Sequence, residues 1–211
     1  MATAKDKPKD AASEAGAETK GRLIEACRAC LQVEGIAGVS ARAIARHGDL
    51  NQALIFYHFG SVDGLLQATA RVDSMGRAKL YAERLAGVTT LAELVGVGRD
   101  IHDIEMQRGS TAVLAQLLAG TISSPDLRAA VLAGMDPWTD LVKEAVDRVI
   151  DGTMLAAAAP TADVAFALAS LFLGMELMAG LDDDRDRVAS LFTSLDTVAA
   201  LFDGLVGRTP A

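Results

Sequence analysis

Val39-Ser40-Ala41-Arg42-Ala43-Ile44-Ala45-Arg46-His47-Gly48-Asp49-Leu50-Asn51-Gln52-Ala53-Leu54-Ile55-Phe56-Tyr57-His58-Phe59-Gly60-Ser61 is the stretch whose reading decides the fold. Ser40 is a good N-cap for a short amphipathic helix over 41–47, with Ile44 and Ala45 inward and Arg42 and Arg46 outward. Gly48-Asp49 breaks that helix, and Asn51 can cap a third one running to residue 57. Gly60-Ser61 is the next break, and Ser61 caps a long helix over 62–85. Upstream, Leu23, Ile24, Cys27, Cys30 and Leu31 recur at helical spacing as far as Glu34-Gly35, before a loop over 35–39. A longer helix followed by two short ones across a tight turn is the arrangement of a helix-turn-helix.

Outward from this segment the chain stays helical. Apolar periodicity predicts helices over 90–108, 111–123, 125–151, 161–179 and 185–206. Connections fall at 121–125 and 156–160, with an acidic turn at 181–184. No stretch alternates in the manner of a strand. Aromatic residues are 4% of the chain and hydrophobic residues 51%, which favours helices packed through aliphatic side chains. The fold class is therefore all-α. It comprises a disordered tail over 1–17, a helix-turn-helix head over 18–64, and a larger helical body over 65–211.

The net charge of −8 is unevenly spread. Residues 1–71 hold nine Lys/Arg and eight Asp/Glu, so the whole of the net negative charge lies in the body. Between Lys20 and Gly48 the basic residues Lys20, Arg22, Arg28, Arg42 and Arg46 face only Glu25 and Glu34. A locally basic head can bind phosphates while an acidic body is held off them. The first twenty residues are polar and lack the apolar block of a signal peptide. No run of about 18 apolar residues is free of a charge or a helix break, Val164 to Leu181 coming nearest with Glu176 and two glycines. These features lead us to expect a cytoplasmic protein without membrane association. Cys27 and Cys30 have the C-x-x-C spacing of a redox pair or half a zinc site. Inside a helical pattern, with neither a second cysteine pair nor a nearby histidine pair, they read as two small packed thiols. No cofactor or metal is expected.

A recognition helix needs short polar side chains for base edges and apolar ones for thymine methyls. Asn51 and Gln52 open the third helix, where they can reach adenine edges, and Ala53 and Leu54 offer apolar contacts. Ser40, Arg42, Tyr57 and His58 can position the motif on phosphates from both of its ends. The stretches 39–45, 51–59 and 61–66 together resemble the TetR family of bacterial transcriptional regulators. The resemblance covers about residues 18–70, and the aromatic-aromatic-His-Phe run before a serine-capped helix is its most specific part. It implies a homodimer whose two heads occupy adjacent major grooves of a pseudo-palindromic operator. DNA contacts then fall on 51–54, Tyr57 and His58. It further implies a body that binds a small-molecule effector, and repression as the usual mode. Two positions depart from the family pattern. Phe56 stands where the family often has tyrosine, and Val62 where it commonly has lysine, removing two phosphate contacts.

Under that resemblance, the body needs a mostly apolar cavity with a few orienting polar groups. Candidate linings are His102, Glu105 and Met106 on the fifth helix, Leu117 on the sixth, and Met135 and Trp138 on the seventh. Phe166, Met175 and Glu176 are candidates on the eighth. Glu176 is the only charge within a long apolar run, so it either has a partner or faces a cavity. With so few polar groups, an apolar or amphipathic effector is expected. The last two long helices suit a dimer seam: Ala165, Ala169, Ser170, Gly174 and Ala179 allow close approach, and Leu168, Leu171 and Leu173 supply area. Burial of the same face within one chain is the alternative. An enzyme is the main rival function, with His102, Asp103 and Glu105 as its only suggestive cluster, but no third ligand or nucleophile–base pairing accompanies it. A helical adaptor is the other rival.

Overall fold

The computed structural model describes residues 7–158, 160–181 and 186–208. Among them the chain is helical throughout, with no strand. The helices are α1 (Lys7–Gly38), α2 (Ala41–Gly48), α3 (Ala53–Phe59), α4 (Val62–Ala86), α5 (Leu91–Arg108), α6 (Ser110–Gly120), α7 (Pro125–Ile150), α8 (Leu155–Ala158), α9 (Thr161–Ala179) and α10 (Asp186–Leu205). They divide into two compact units, one of residues 1–72 and 116–131, the other of 73–115 and 132–211.

In the first unit α1 begins at Lys7, inside the stretch read as a tail. Residues 7–17 include four alanines and two lysines, which lose little entropy in a helix and simply extend the periodic segment behind them. Residues 1–6 of that stretch lie outside the described residues. The helix is interrupted at Gly35, whose φ of 66° and ψ of 176° are open only to glycine. There the freed Ile36 N–H donates to Gln116 Oε1 at 2.8 Å. Leu23, Cys27, Cys30, Ile44, Ile55 and Leu65 are completely buried and form the core of the head.

Burial pushes the Cys27 thiol up to about 11 from 9.0, partly offset by a hydrogen bond with Thr69. The folded state holds that proton more tightly, so the contribution is complete below pH 9.0 and disappears as pH rises through about 11. Urea unfolding at a series of alkaline pH values is expected to lose about 2–3 kcal/mol over this window. Cys27→Ala should flatten that part of the profile.

The second unit packs around Tyr81, Leu85, Ile101, Ala145, Val146, Val149 and Ala165, each at most 2% exposed. Thr90 closes a capping box with Glu93 at the start of α5. The same helix end is bound by Asp203 from α10, whose carboxylate accepts from Leu91 N and Ala92 N at 2.9 Å each. An acidic side chain at this positive helix end gains from the helix dipole as well as from the bonds. Beside the same helix end, Arg208 donates from Nη1 to the Thr89 carbonyl at 2.6 Å and to the Arg148 and Val149 carbonyls at 2.8 and 2.7 Å, satisfying acceptors that α7 leaves open. Of the acidic turn expected over 181–184, residues 182–184 lie outside the described residues.

Candidate nucleic-acid interface and ligand cavities

Local chemistry fixes the two short helices of the head. Ser40 is extended, and its Oγ accepts from Ala43 N at 3.2 Å, opening α2. Asp49 adopts the left-handed conformation (φ 49°, ψ 52°), and its N–H turns back to the end of α2. Leu50 N donates to Ala45 O at 2.9 Å, so the turn between the helices is hydrogen-bonded. Asn51 then accepts from Ala53 N through Oδ1 at 2.9 Å, starting α3 with its side chain. Gly60 (φ 75°) ends α3, and Ser61 Oγ takes Gly64 N at 2.9 Å to start α4.

Within α3 one side is anchored and the other is open. Ile55 is fully buried, while Asn51, Gln52, Ala53, Phe56 and Tyr57 are exposed, Tyr57 to 82%. Leu54 and His58 are half-buried, and the His58 ring meets Tyr57 edge-on at 4.8 Å. Phe56 is 52% exposed. Seven residues are only two turns, and Ile55 alone holds the inner side of the helix. Arg42 and Ser40 are exposed at the start of α2. Arg46, by contrast, is tied to Glu34 at 2.6 Å.

The second unit contains a chain of polar groups in its interior. Glu176 on α9 is 4% exposed, with Oε1 at 2.6 Å from His102 Nδ1 and Oε2 accepting from Thr111 Oγ1 at 3.1 Å. Burial raises its carboxyl above the ordinary range, and His102 and Thr111 pull it back. Glu105, 3% exposed, accepts from the Tyr81 hydroxyl and lies 3.6 Å from Arg77 Nη1, with Arg77 also bound to Asp73. Burial and the Glu105 carboxylate raise the Tyr81 hydroxyl far above its usual range, so it remains a donor. Two cavities lie in this unit. One, of about 530 Å³, is lined by Arg99, His102, Asp103, Met106, Gln107 and Phe192 among others. The second, about 180 Å³, is almost wholly apolar, with Trp138, Leu168, Phe172, Met175 and again Phe192 on its walls. Phe192 is thus shared, and Arg99 stands 5.3 Å over its ring while pairing with Asp196 at 2.6 Å.

Residues 23–69 match the family model described as bacterial regulatory proteins, tetR family. The head is similar to that family over these residues. No curated protein matches the chain. Solved structures share its fold at low identity. NemR of Escherichia coli in its reduced form is 16% identical with a TM-score of 0.71, over 85% of this chain and 96% of that one. The fatty acid degradation regulator FadR from Bacillus halodurans is 12% identical with a TM-score of 0.69, over 86% and 94%. The multidrug binding protein EbrR, solved with malachite green, is 23% identical with a TM-score of 0.59, over 83% and 96%. The match to the family model spans α2 and α3 and the capped start of α4, and the likeness to these structures extends the shared fold through the helical body.

The structure distributes the expected cavity residues among several places. His102 and Met106 line the larger cavity, and Trp138 and Met175 the apolar one. Glu105 and Glu176 lie in the buried polar chain instead. Leu117 is 1% exposed and sits among the core residues of the first unit, because α6 contributes its end to that unit. Met135 is half-buried and lines neither cavity, while Phe166 points outward at 68% exposure. Arg99, Phe192 and Asp196 were invisible as cavity residues in the sequence, where charged and aromatic positions on two amphipathic helices carry no mark of facing each other. On α9, Ala165 and Ala169 are buried inside the unit, so the close approach they permit is internal. The outward stripe consists of Ser170, Leu171, Gly174, Met178 and Leu181. On α10 it consists of Leu191, Val198, Leu201 and Leu205, the last 87% exposed. Both helices are long and apolar enough to cross a membrane by length and composition alone, but each also carries a buried carboxylate engaged with α5: Glu176 with His102, and Asp203 with the first turn.

Proposed function

We propose that this protein is a sequence-specific, DNA-binding transcriptional regulator rather than an enzyme: a cytoplasmic repressor that a small molecule releases from a pseudo-palindromic operator. The exposed face of α3 carries this reading: Gln52, Ala53 and Tyr57 stand clear of the core, with Asn51 opening the helix and Ser40 and Arg42 beside it at the start of α2. Gln52 and Asn51 address base edges, Ala53 and Leu54 thymine methyls, and Ser40, Arg42, Tyr57 and His58 phosphates.

The test is binding to the DNA beside the gene, measured at several salt concentrations. Gln52→Ala is expected to lose about 1–3 kcal/mol on the operator and little on unrelated DNA. Arg42→Ala is expected to weaken both alike and to flatten the salt dependence by about one counterion. Asn51 is a poorer probe, because Asn51→Ala also removes the hydrogen bond that starts α3. Equal losses on all DNA for Gln52→Ala, or none, would remove the α3 reading.

For the effector, the two cavities favour an amphipathic molecule. A polar group fits among His102, Asp103, Gln107 and Arg99, and an apolar portion fits beside Trp138, Phe172 and Met175. EbrR binds malachite green, an aromatic dye, within the same fold. Release from DNA requires only that the effector prefer the conformation with low DNA affinity, and a 100-fold preference corresponds to roughly 2.7 kcal/mol. The exposed apolar stripes of α9 and α10 support a homodimer in which these helices pair with their copies.

A further inference from the structure

Three metal-ligating side chains that neither the DNA face nor the cavities employ meet where α1 and α2 cross. A ligand atom from each of Cys30, Glu34 and His47 lies within 4.8 Å of the others. Cys30 and Glu34 are four residues apart on α1 and so share a face one turn apart, and His47 comes from the last turn of α2. The thiol is completely buried at the inner end, while Glu34 and His47 are half-buried, so the cluster is anchored in the core and open to solvent on one side. Glu34 Oε1 already gathers two donors, with Arg46 Nη2 and His47 Nε2 each at 2.6 Å.

We propose that Cys30, Glu34 and His47 bind a single Zn²⁺ ion through Sγ, a carboxylate oxygen and Nε2, with water as the fourth ligand. Sulfur, imidazole nitrogen and carboxylate oxygen together suit zinc and disfavour the hard cations calcium and magnesium, which take oxygen donors. Bonds of about 2.0–2.3 Å in a tetrahedron place ligand atoms about 3.5 Å apart. Glu34 and His47 must therefore separate somewhat and Cys30 must draw nearer, which are rotations of side chains and leave the helices in place. The Cys30 proton passes to solvent on binding, so the site gains one positive charge net. The ion replaces the Glu34–His47 hydrogen bond and weakens the hold of Glu34 on Arg46, whose side chain is 63% exposed. C-x-x-C drew attention to the wrong partner for Cys30. Cys27 bonds to Thr69, and the companions of Cys30 arrive from one turn along and from another helix.

The experiment uses the full chain, reduced and stripped with a chelator, titrated first with Co²⁺ and then with Zn²⁺. The expected result is one equivalent of cobalt with a thiolate-to-metal charge-transfer band and the intense visible bands of tetrahedral geometry, displaced by zinc. Cys30→Ser should abolish the charge-transfer band, His47→Gln should weaken binding at least tenfold, and Cys27→Ser should keep the spectrum. Zinc should also raise the thermal unfolding midpoint of the wild type, because it binds the folded head, and leave that of the half-buried variant His47→Gln unchanged. Three outcomes would overturn the site: absence of the cobalt spectrum in the wild type, its survival in Cys30→Ser, or equal zinc stabilisation of wild type and His47→Gln.

Discussion

Glu176→Ala is expected to destabilise the second unit by about 3–5 kcal/mol, because it leaves His102 and Thr111 facing a buried gap. The magnitude follows from asymmetry. A buried hydrogen-bonded pair contributes little when intact, since desolvation offsets attraction, but removing one member strands the other. The double change His102→Leu with Glu176→Leu should therefore recover most of the loss and lie within about 1–2 kcal/mol of the wild type. Thermal unfolding of the two singles and the double closes the cycle, and additive losses would show that the pair is not coupled. Acidity supplies a second check. The folded carboxyl holds its proton more tightly than its ordinary value of 4.5. Its contribution is complete below that pH and is lost as pH rises through the folded value. Measured against Glu176→Gln, which does not titrate, the wild type should be at its relative best in acid.

Gly64→Ala is expected to disable the head, lowering its stability by about 3 kcal/mol and abolishing DNA binding at 37 °C. A Cβ on Gly64 would stand 2.2 Å from the Phe59 carbonyl oxygen, a backbone atom that no side-chain rotation can relieve. The turn would have to open, and with it the bond from Gly64 N to Ser61 that starts α4. Neighbouring Gly60 meets nothing at its Cβ and carries only the backbone strain of φ 75°, so Gly60→Asn is expected to cost less than Gly64→Ala. Circular dichroism and operator binding of the two variants together separate crowding from backbone conformation. Equal damage from both would refute the contact argument.

The head was readable because its signals are local. Ser40, Asn51 and Ser61 each bond to a backbone N–H two or three residues on, and such caps are visible in a single strip of sequence. Residues 7–17 misled because a charged, alanine-rich strip has the composition of a tail and the propensities of a helix. In the body, helix lengths were legible from periodicity, but the partners across helices were not. Phe166 and Met175 sit nine residues apart on α9, and one faces outward while the other lines a cavity. Ala165 and Ala169 looked like seam residues until the packing showed them inside the unit. The Cys30–Glu34–His47 meeting depends on how α1 and α2 cross, which no spacing rule encodes.

The turn at Asn51 bears on how much of the alphabet the operator can vary. Its amide oxygen is held by Ala53 N–H, so the amino group is what remains to reach outward. A lone donor in the major groove accepts the acceptor edges of guanine, adenine and thymine and is refused only by the amino edge of cytosine. A selection from randomised DNA should accordingly show a three-letter position beneath Asn51, flanked by a sharper one beneath Gln52, whose amide is free to offer both of its ends.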